Sequence, residues 1–149
     1  MGLAESIRLH KTWPIHALVA IKRSGWVLGV QLSDILRTPV FSLSEIASIP
    51  ARLSRIAVID TVHWTGRSFA RHIRALRKAS IEPCLAAALF SKTRPEDVEG
   101  VPFLPGARAL LIPRFQFHRQ FRLDREREAR FLEFASRLRA LQEHASPST

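Results

Sequence analysis

The sequence predicts one α/β domain built on a mainly parallel sheet with flanking helices, and three observations carry that prediction. Four short apolar runs, at residues 15–21, 40–43, 56–59 and 84–90, have strand length and lack the polar alternation of a half-exposed sheet. Helical spacing separates them at 26–36 and 68–79. Strands alternating with helices form right-handed crossovers, which leave successive strands parallel. A chain of 149 residues holds one such domain with a sizeable core. We take residues 1–149 as that single domain, with its core at about 15–115 and a basic segment plus helix at 116–145.

Taken in order, residues 2–12 suit a short basic helix, which Trp13-Pro14 ends because the residue before proline is pushed out of the α region. The run 15–21 follows as a strand buried on both faces and stops at Lys22-Arg23-Ser24-Gly25. Val27, Leu28, Val30, Leu32, Ile35 and Leu36 then recur near helical spacing. Thr38-Pro39 punctuates, the second strand covers 40–43, and residues 44–54 form a connector with room for a short helical turn. The third strand, 56–59, ends at Asp60, and a turn over 61–66 leads into the helix at 68–79. A fourth strand follows at 84–90.

Beyond Lys92 the pattern changes. Residues 93–105 are polar, acidic and rich in Pro and Gly, which predicts a loop with little regular structure. Ala109-Leu110-Leu111-Ile112 suits another strand, stopped by Pro113. Residues 114–122 interleave Phe115, Phe117 and Phe121 with Arg114, His118, Arg119 and Arg122. That stretch reads either as a nucleic-acid stacking surface or as phenylalanines joining a core or dimer interface. Asp124 is a good N-cap for a last helix, whose apolar side carries Phe131, Phe134, Leu138 and Leu141. Residues 144–149 read as a frayed tail.

Lys and Arg total 23 against 13 acids, a net charge of +10. Such a field favours anionic partners, whether phosphorylated metabolites, nucleic acid or a membrane surface. Most of the basic residues are arginine, which suits bidentate phosphate contacts, although a GC-rich coding sequence gives the same bias. No apolar run approaches the ~20 residues that cross a bilayer, so we expect no membrane span and a cytoplasmic location. Cys84 is the single cysteine and has no internal disulfide partner. His10, His16, His63, His72, His118 and His144 show no close pair at metal-ligand spacing, so no zinc site is expected.

The informative segment runs from Ile56 to Ser68. An apolar strand meets Asp60, then a turn containing Thr65-Gly66-Arg67-Ser68, then a helix. Backbone N–H groups of the turn, the Thr65 and Ser68 hydroxyls and the helix dipole suit an anion there. Asp60 suits sugar hydroxyls or a hydrated Mg²⁺, or else simply caps the next turn. Lys22 and Arg23 are phosphate contacts or solvated loop charges. His63 is an acid–base group near neutral pH or a plain turn residue. Trp64 stacks on a base or plugs a gap, and Lys92 meets a base or is a loop charge.

These residues resemble the type I phosphoribosyltransferase family. Its signature is an apolar strand, two adjacent acids and a turn ending in Thr-Gly-x-Ser/Thr, matched here by 56–68. Val19-Ala20-Ile21-Lys22-Arg23-Ser24-Gly25 resembles the family's pyrophosphate loop. Ala88-Leu89-Phe90-Ser91-Lys92 is similar to the strand that ends, in purine members, in a base-facing lysine. Order and spacing are those of a compact xanthine–guanine type over about 15–115.

The resemblance implies pyrophosphate binding by Lys22, Arg23, Ser24 and Gly25, and 5′-phosphate binding by Thr65, Gly66, Arg67 and Ser68. It implies a ribose-holding, catalytic Asp60 with indirect contact to Mg²⁺ and base contact by Lys92, while the catalytic role for His63 and base contact by Trp64 rest on the side chains themselves. The ligand would be phosphoribosyl pyrophosphate or a nucleoside 5′-monophosphate, and the assembly a homodimer. Departures from the pattern are Thr61 at the second acid, Trp64 at a frequent base-side acid, Ala109 at the stacking aromatic, and the short 44–54 connector. They open two further readings: a non-catalytic nucleotide-sensing regulator, and a nucleic-acid-binding or modifying protein.

Overall fold

The apolar runs become the buried middle of a sheet. The computed structural model describes residues 2–108 together with Arg137 and Ala140. Strand β1 (Ala17–Ala20) is buried at every position. Strands β3 (Ile56–His63) and β4 (Leu85–Ser91) are each buried along their first four residues. Strand β2 (Val40–Ser42) lies at one edge, and β5 (Asp97–Val98), β6 (Val101–Leu104) and β7 (Ala107–Arg108) complete the sheet on the far side of β4. The order is β2-β1-β3-β4-β6-β5, with β7 also on β4. All pairings are parallel except β5 with β6, as the alternating pattern predicts for the main sheet.

Helices cover both faces. On one, Phe69, Ile73 and Leu76 of α3 (Arg67–Lys78) join Val19, Val58, Ala86 and Phe103 in a continuous apolar cluster. On the other lie α1 (Leu3–Leu9) and α2 (Ser24–Leu36). Gly29 lets α2 approach closely: a Cβ there would stand 2.8 Å from Ala20 Cβ and 3.0 Å from Val40 Cγ2. The connector after β2 contains the expected helical turn, a 3₁₀ helix at Leu43–Ser48. Its start is fixed by a capping box, in which the Ser42 amide donates to the Glu45 carboxylate at 3.0 Å.

Three expectations are corrected. Residues 93–105 are not a structureless loop, because β5 and β6 form a hairpin there. Glu99 (φ 51°) and Gly100 (φ 78°) make the two-residue turn with positive φ that matches hairpin twist. Strand β3 does not end at Asp60 but runs to His63, since β4 supplies partners at Val62↔Phe90 and His63↔Ser91. Helix α2 begins at Ser24, so Ser24 and Gly25 are its first turn rather than loop. Between β6 and β7, Gly106 packs against β4 so closely that a Cβ would fall 1.9 Å from the Leu89 carbonyl oxygen. No other residue fits that break.

The described elements belong to one compact unit, Met1–Arg108, and the chain's second unit is Ala109–Thr149. The strand expected at 109–112, the Arg/Phe stretch, Ala109 at the stacking-aromatic position and the apolar stripe at Phe131, Phe134, Leu138 and Leu141 lie outside the described residues.

Candidate functional site

Topology alone marks one crevice. From β1 the chain crosses to β2 on one side and then to β3 on the other, so the connections diverge between β1 and β3. Ligands of parallel sheets bind at the carboxyl ends of such a pair. Two segments meet that edge: 21–25, following β1, and 64–68, following β3. These are the two segments singled out for phosphate, and the Ile21 amide ties the first to β3 by donating to the Ile59 carbonyl at 2.9 Å.

Each segment ends in a helix N-terminus without a side-chain cap. Arg23 is the N-cap of α2, and Gly66, in the left-handed region at φ 79°, is the N-cap of α3. Neither helix has an acid in its first turn. The Arg67 amide reaches Thr65 Oγ1 at 3.4 Å, a long contact. Helix N-termini present N–H groups that lack intrahelical acceptors, and the dipole makes both ends positive. Lys22, Thr65 and Arg67 are exposed beside them, with Arg23 and Ser68 half-buried. The Lys22–Arg23 peptide bond is cis.

Asp60 lies against the first of these helix starts. Gly25 lies against it so tightly that a Cβ would sit 2.9 Å from Asp60 Oδ1 and 3.2 Å from Asp60 Cα. Thus α2 begins directly on the acid-bearing residue of β3. The Thr61 amide donates to Asp60 Oδ1 at 2.7 Å. Burial pushes the carboxyl up to about 7, with that amide pulling the other way. Asp60 is the sole acid in the two segments and β3, since Thr61 follows it.

A divalent cation would find a single carboxylate here, and among the described residues no three His, Cys, Asp or Glu side chains converge on a metal position. Such a set fits Mg²⁺ carried mainly by a ligand's phosphates and touched through water by one carboxylate. It does not fit a resident protein-held metal.

His63 lies inside the fold, 4% exposed. Its ring packs 4.5 Å from that of Phe103 and 5.7 Å from that of Phe69, and its Nδ1 is 3.3 Å from Thr93 Oγ1. Its Nε2 is turned to Gly66: a Cβ on that glycine would come within 3.1 Å. Burial lowers the ring's pKa, so His63 is neutral at physiological pH. It supports the 64–68 turn from below. Trp64 and Lys92, both considered for base contact, are brought together, with Lys92 Nζ 4.5 Å from the Trp64 ring centroid. The Lys92 amide donates to the His63 carbonyl at 2.9 Å, holding the ends of β3 and β4 side by side.

Sequence reading missed the residues that shape the site from behind. Thr93, Phe69 and Phe103 hold His63, and no local spacing links them. Gly25 was read as part of a loop, whereas the Gly25-x-x-x-Gly29 spacing, which puts both glycines on one helix face, signals a close approach to the sheet.

No family model matches this chain, and no curated protein matches it. Solved structures do. An orotate phosphoribosyltransferase from Aeropyrum pernix superposes with a TM-score of 0.55 at 20% identity, over 71% of this chain and 66% of that one. An adenine phosphoribosyltransferase from Rhodothermus marinus gives 0.57 at 19% identity, over 72% and 75%. A hypothetical protein from Neisseria gonorrhoeae with bound ppGpp gives 0.58 at 20% identity, over 72% and 74%. This chain spans just under two thirds of the first of these proteins and three quarters of the second. Its fold is that of the type I phosphoribosyltransferases.

Proposed function

We propose that the crevice between β1 and β3 binds phosphoribosyl pyrophosphate or a nucleoside 5′-monophosphate, and that the protein transfers phosphoribose to or from a purine-like base. One observation carries this reading: two uncapped helix N-termini follow the carboxyl ends of the adjacent strands β1 and β3, and the first of them, at Gly25, abuts Asp60. In this reading Lys22, Arg23, Ser24 and Gly25 hold pyrophosphate. Thr65, Gly66, Arg67 and Ser68 hold the 5′-phosphate, with N–H groups and a guanidinium fork suited to it. Asp60 accepts from ribose hydroxyls.

Transfer asks little covalent chemistry of the protein. The C1–oxygen bond breaks with its electron pair leaving on pyrophosphate, a ring nitrogen of the base supplies the pair for the new bond, and the imidazole N–H proton of the base is released to water or to the departing pyrophosphate. Positive charge grows on the ribose ring while negative charge grows on the leaving group. Lys22, Arg23 and the α2 amides stabilise the latter, and Asp60 the former. Mg²⁺ bound to the pyrophosphate would neutralise part of its charge, with Asp60 as the carboxylate nearest to it. His63 shapes the phosphate turn, and Trp64 offers the base a stacking face once Lys92 moves aside.

A specific observation favours a second reading, a nucleotide-sensing regulator. Thr61 stands where a second ribose-gripping acid would be, and a structural neighbour was solved with ppGpp. Calorimetric titration with phosphoribosyl pyrophosphate, GMP, ribose 5-phosphate and ppGpp, each with and without Mg²⁺, separates the two. The transferase reading expects micromolar, Mg²⁺-dependent binding of phosphoribosyl pyrophosphate, followed by turnover with a purine base. Tight ppGpp binding indifferent to Mg²⁺, with no turnover, favours the regulator. If none of the four binds, both readings fall.

A further inference from the structure

Helix α3 carries a second surface that shares only its first residue, Arg67, with the crevice. Arg67, Arg71, Arg74 and Lys78 recur at i, i+4, i+7 and i+11, and all four are exposed. At 100° per residue they fall within about 60° of arc and run some 16 Å along the helix. The opposite side buries Phe69, His72, Ile73 and Leu76 in the core. The helix contains no acid. Arg74 pairs with Glu99 at 2.7 Å, while its side chain stays 65% exposed. Off the stripe, Arg77 is held by Glu82 through two contacts of 2.8 Å. Among the described residues the side chains of Arg67, Arg71 and Lys78 have no acidic partner.

This arrangement works against the helix. Cations in a first turn oppose the dipole, and like charges at i, i+4, here Arg67 with Arg71 and Arg74 with Lys78, repel. A polyanion laid along the stripe removes both penalties. We propose that the outward face of α3 docks the phosphate backbone of single-stranded nucleic acid.

The chemistry selects that partner. An anionic lipid surface is bound by helices that also insert apolar side chains, and the exposed large hydrophobics among the described residues, Leu9, Ile35 and Phe90, are not on α3. Reading duplex sequence requires an element seated in the major groove with side chains on base edges. Here one face of α3 is packed on the sheet, and the stripe has no Asn or Gln. A flexible single strand can follow a line of arginines without base readout, as sequence-independent binders do. Arg71, Arg74 and Lys78 take no part in the crevice, so for these three the proposal does not depend on the ligand bound there.

Fluorescence anisotropy of the full chain with a labelled oligothymidylate of about 20 nucleotides tests it. Four neutralised phosphates predict a slope of log K against log salt of about −2.8, or roughly 50-fold weaker binding at 200 than at 50 mM salt. Arg71→Gln with Lys78→Gln, which leaves Arg67 in place, should bring the slope closer to zero by about 1.4. Glu99→Gln frees Arg74 and should tighten binding several-fold. Circular dichroism melts confirm that the variants are folded. The proposal is overturned if the double variant keeps the native slope, which would place the strand elsewhere on the chain. It is equally overturned if no oligonucleotide binds at 50 mM salt, or if poly-glutamate or phosphatidylserine vesicles bind α3 in its place.

Discussion

Asp60→Asn is expected to stabilise the protein at pH 8 while removing Mg²⁺-dependent ligand binding. The carboxyl titrates at about 7 in the folded chain against an ordinary 3.8, because burial penalises its charged form. The folded state therefore holds the proton more tightly than the unfolded state does. Stability falls as pH rises from about 4 to about 7 and levels off above, for a total cost of up to roughly 4 kcal/mol. Asparagine keeps the shape and the Thr61 contact but carries no charge, so it escapes that cost. Urea unfolding of both proteins at pH 5 and pH 8 should show the variant's advantage growing by about 2–3 kcal/mol between them. An advantage equal at both pH values would mean that Asp60 ionises like an exposed carboxylate. Binding moves the opposite way. If the ionised form holds ribose and the hydrated cation, affinity for phosphoribosyl pyrophosphate with Mg²⁺ climbs up to tenfold per pH unit below about 7 and flattens above. A group that costs stability when charged and is needed charged for binding is characteristic of functional sites.

What the sequence made legible was local. The runs at 15–21, 56–59 and 84–90 could be recognised as strands because burial on both faces leaves no polar alternation, and β1, β3 and β4 sit in the middle of the sheet. The two strand–turn–helix junctions at 21–25 and 64–68 were legible because strand, turn and helix N-terminus are contiguous. The end of β3 was not, since Asp60 breaks the apolar run while pairing with Phe90 and Ser91 carries the strand on. In the hairpin, Pro and acidic residues masked a short signal, Val98-Glu99-Gly100-Val101, in which a glycine turn sits between two valines. The support of His63 by Thr93 spans 30 residues and depends on how β4 continues. The pairing of Trp64 with Lys92 depends equally on the β3–β4 register. Candidates were visible along the chain; which of them touch was a tertiary matter.

Gly25→Ala tests whether the contact between α2 and Asp60 is functional or merely close packing. The added methyl would stand 2.9 Å from Asp60 Oδ1, 3.2 Å from Asp60 Cα and 3.2 Å from the Ile59 carbonyl oxygen. The carboxylate can rotate, but the two backbone atoms cannot, so the first turn of α2 must lift off β3. Overpacking of this kind costs about 1–3 kcal/mol. The same displacement moves the α2 amides relative to Asp60, and a shift of about 1 Å in a binding constellation can cost up to roughly 100-fold in function. We expect affinity for phosphoribosyl pyrophosphate to fall by about 10- to 100-fold. Gly29→Ala supplies the comparison. Its methyl meets Ala20 Cβ at 2.8 Å and Val40 Cγ2 at 3.0 Å, one turn further along α2 and away from the acid. Its stability loss should be similar, about 1–3 kcal/mol, with only a few-fold change in affinity. Melts and calorimetry on the two variants then separate the roles. Loss of affinity confined to Gly25→Ala places the function of that glycine at the junction of helix and carboxylate. Equal losses in both would make α2 a roof on the sheet, and the pyrophosphate contacts would have to be sought in Lys22 and Arg23 alone.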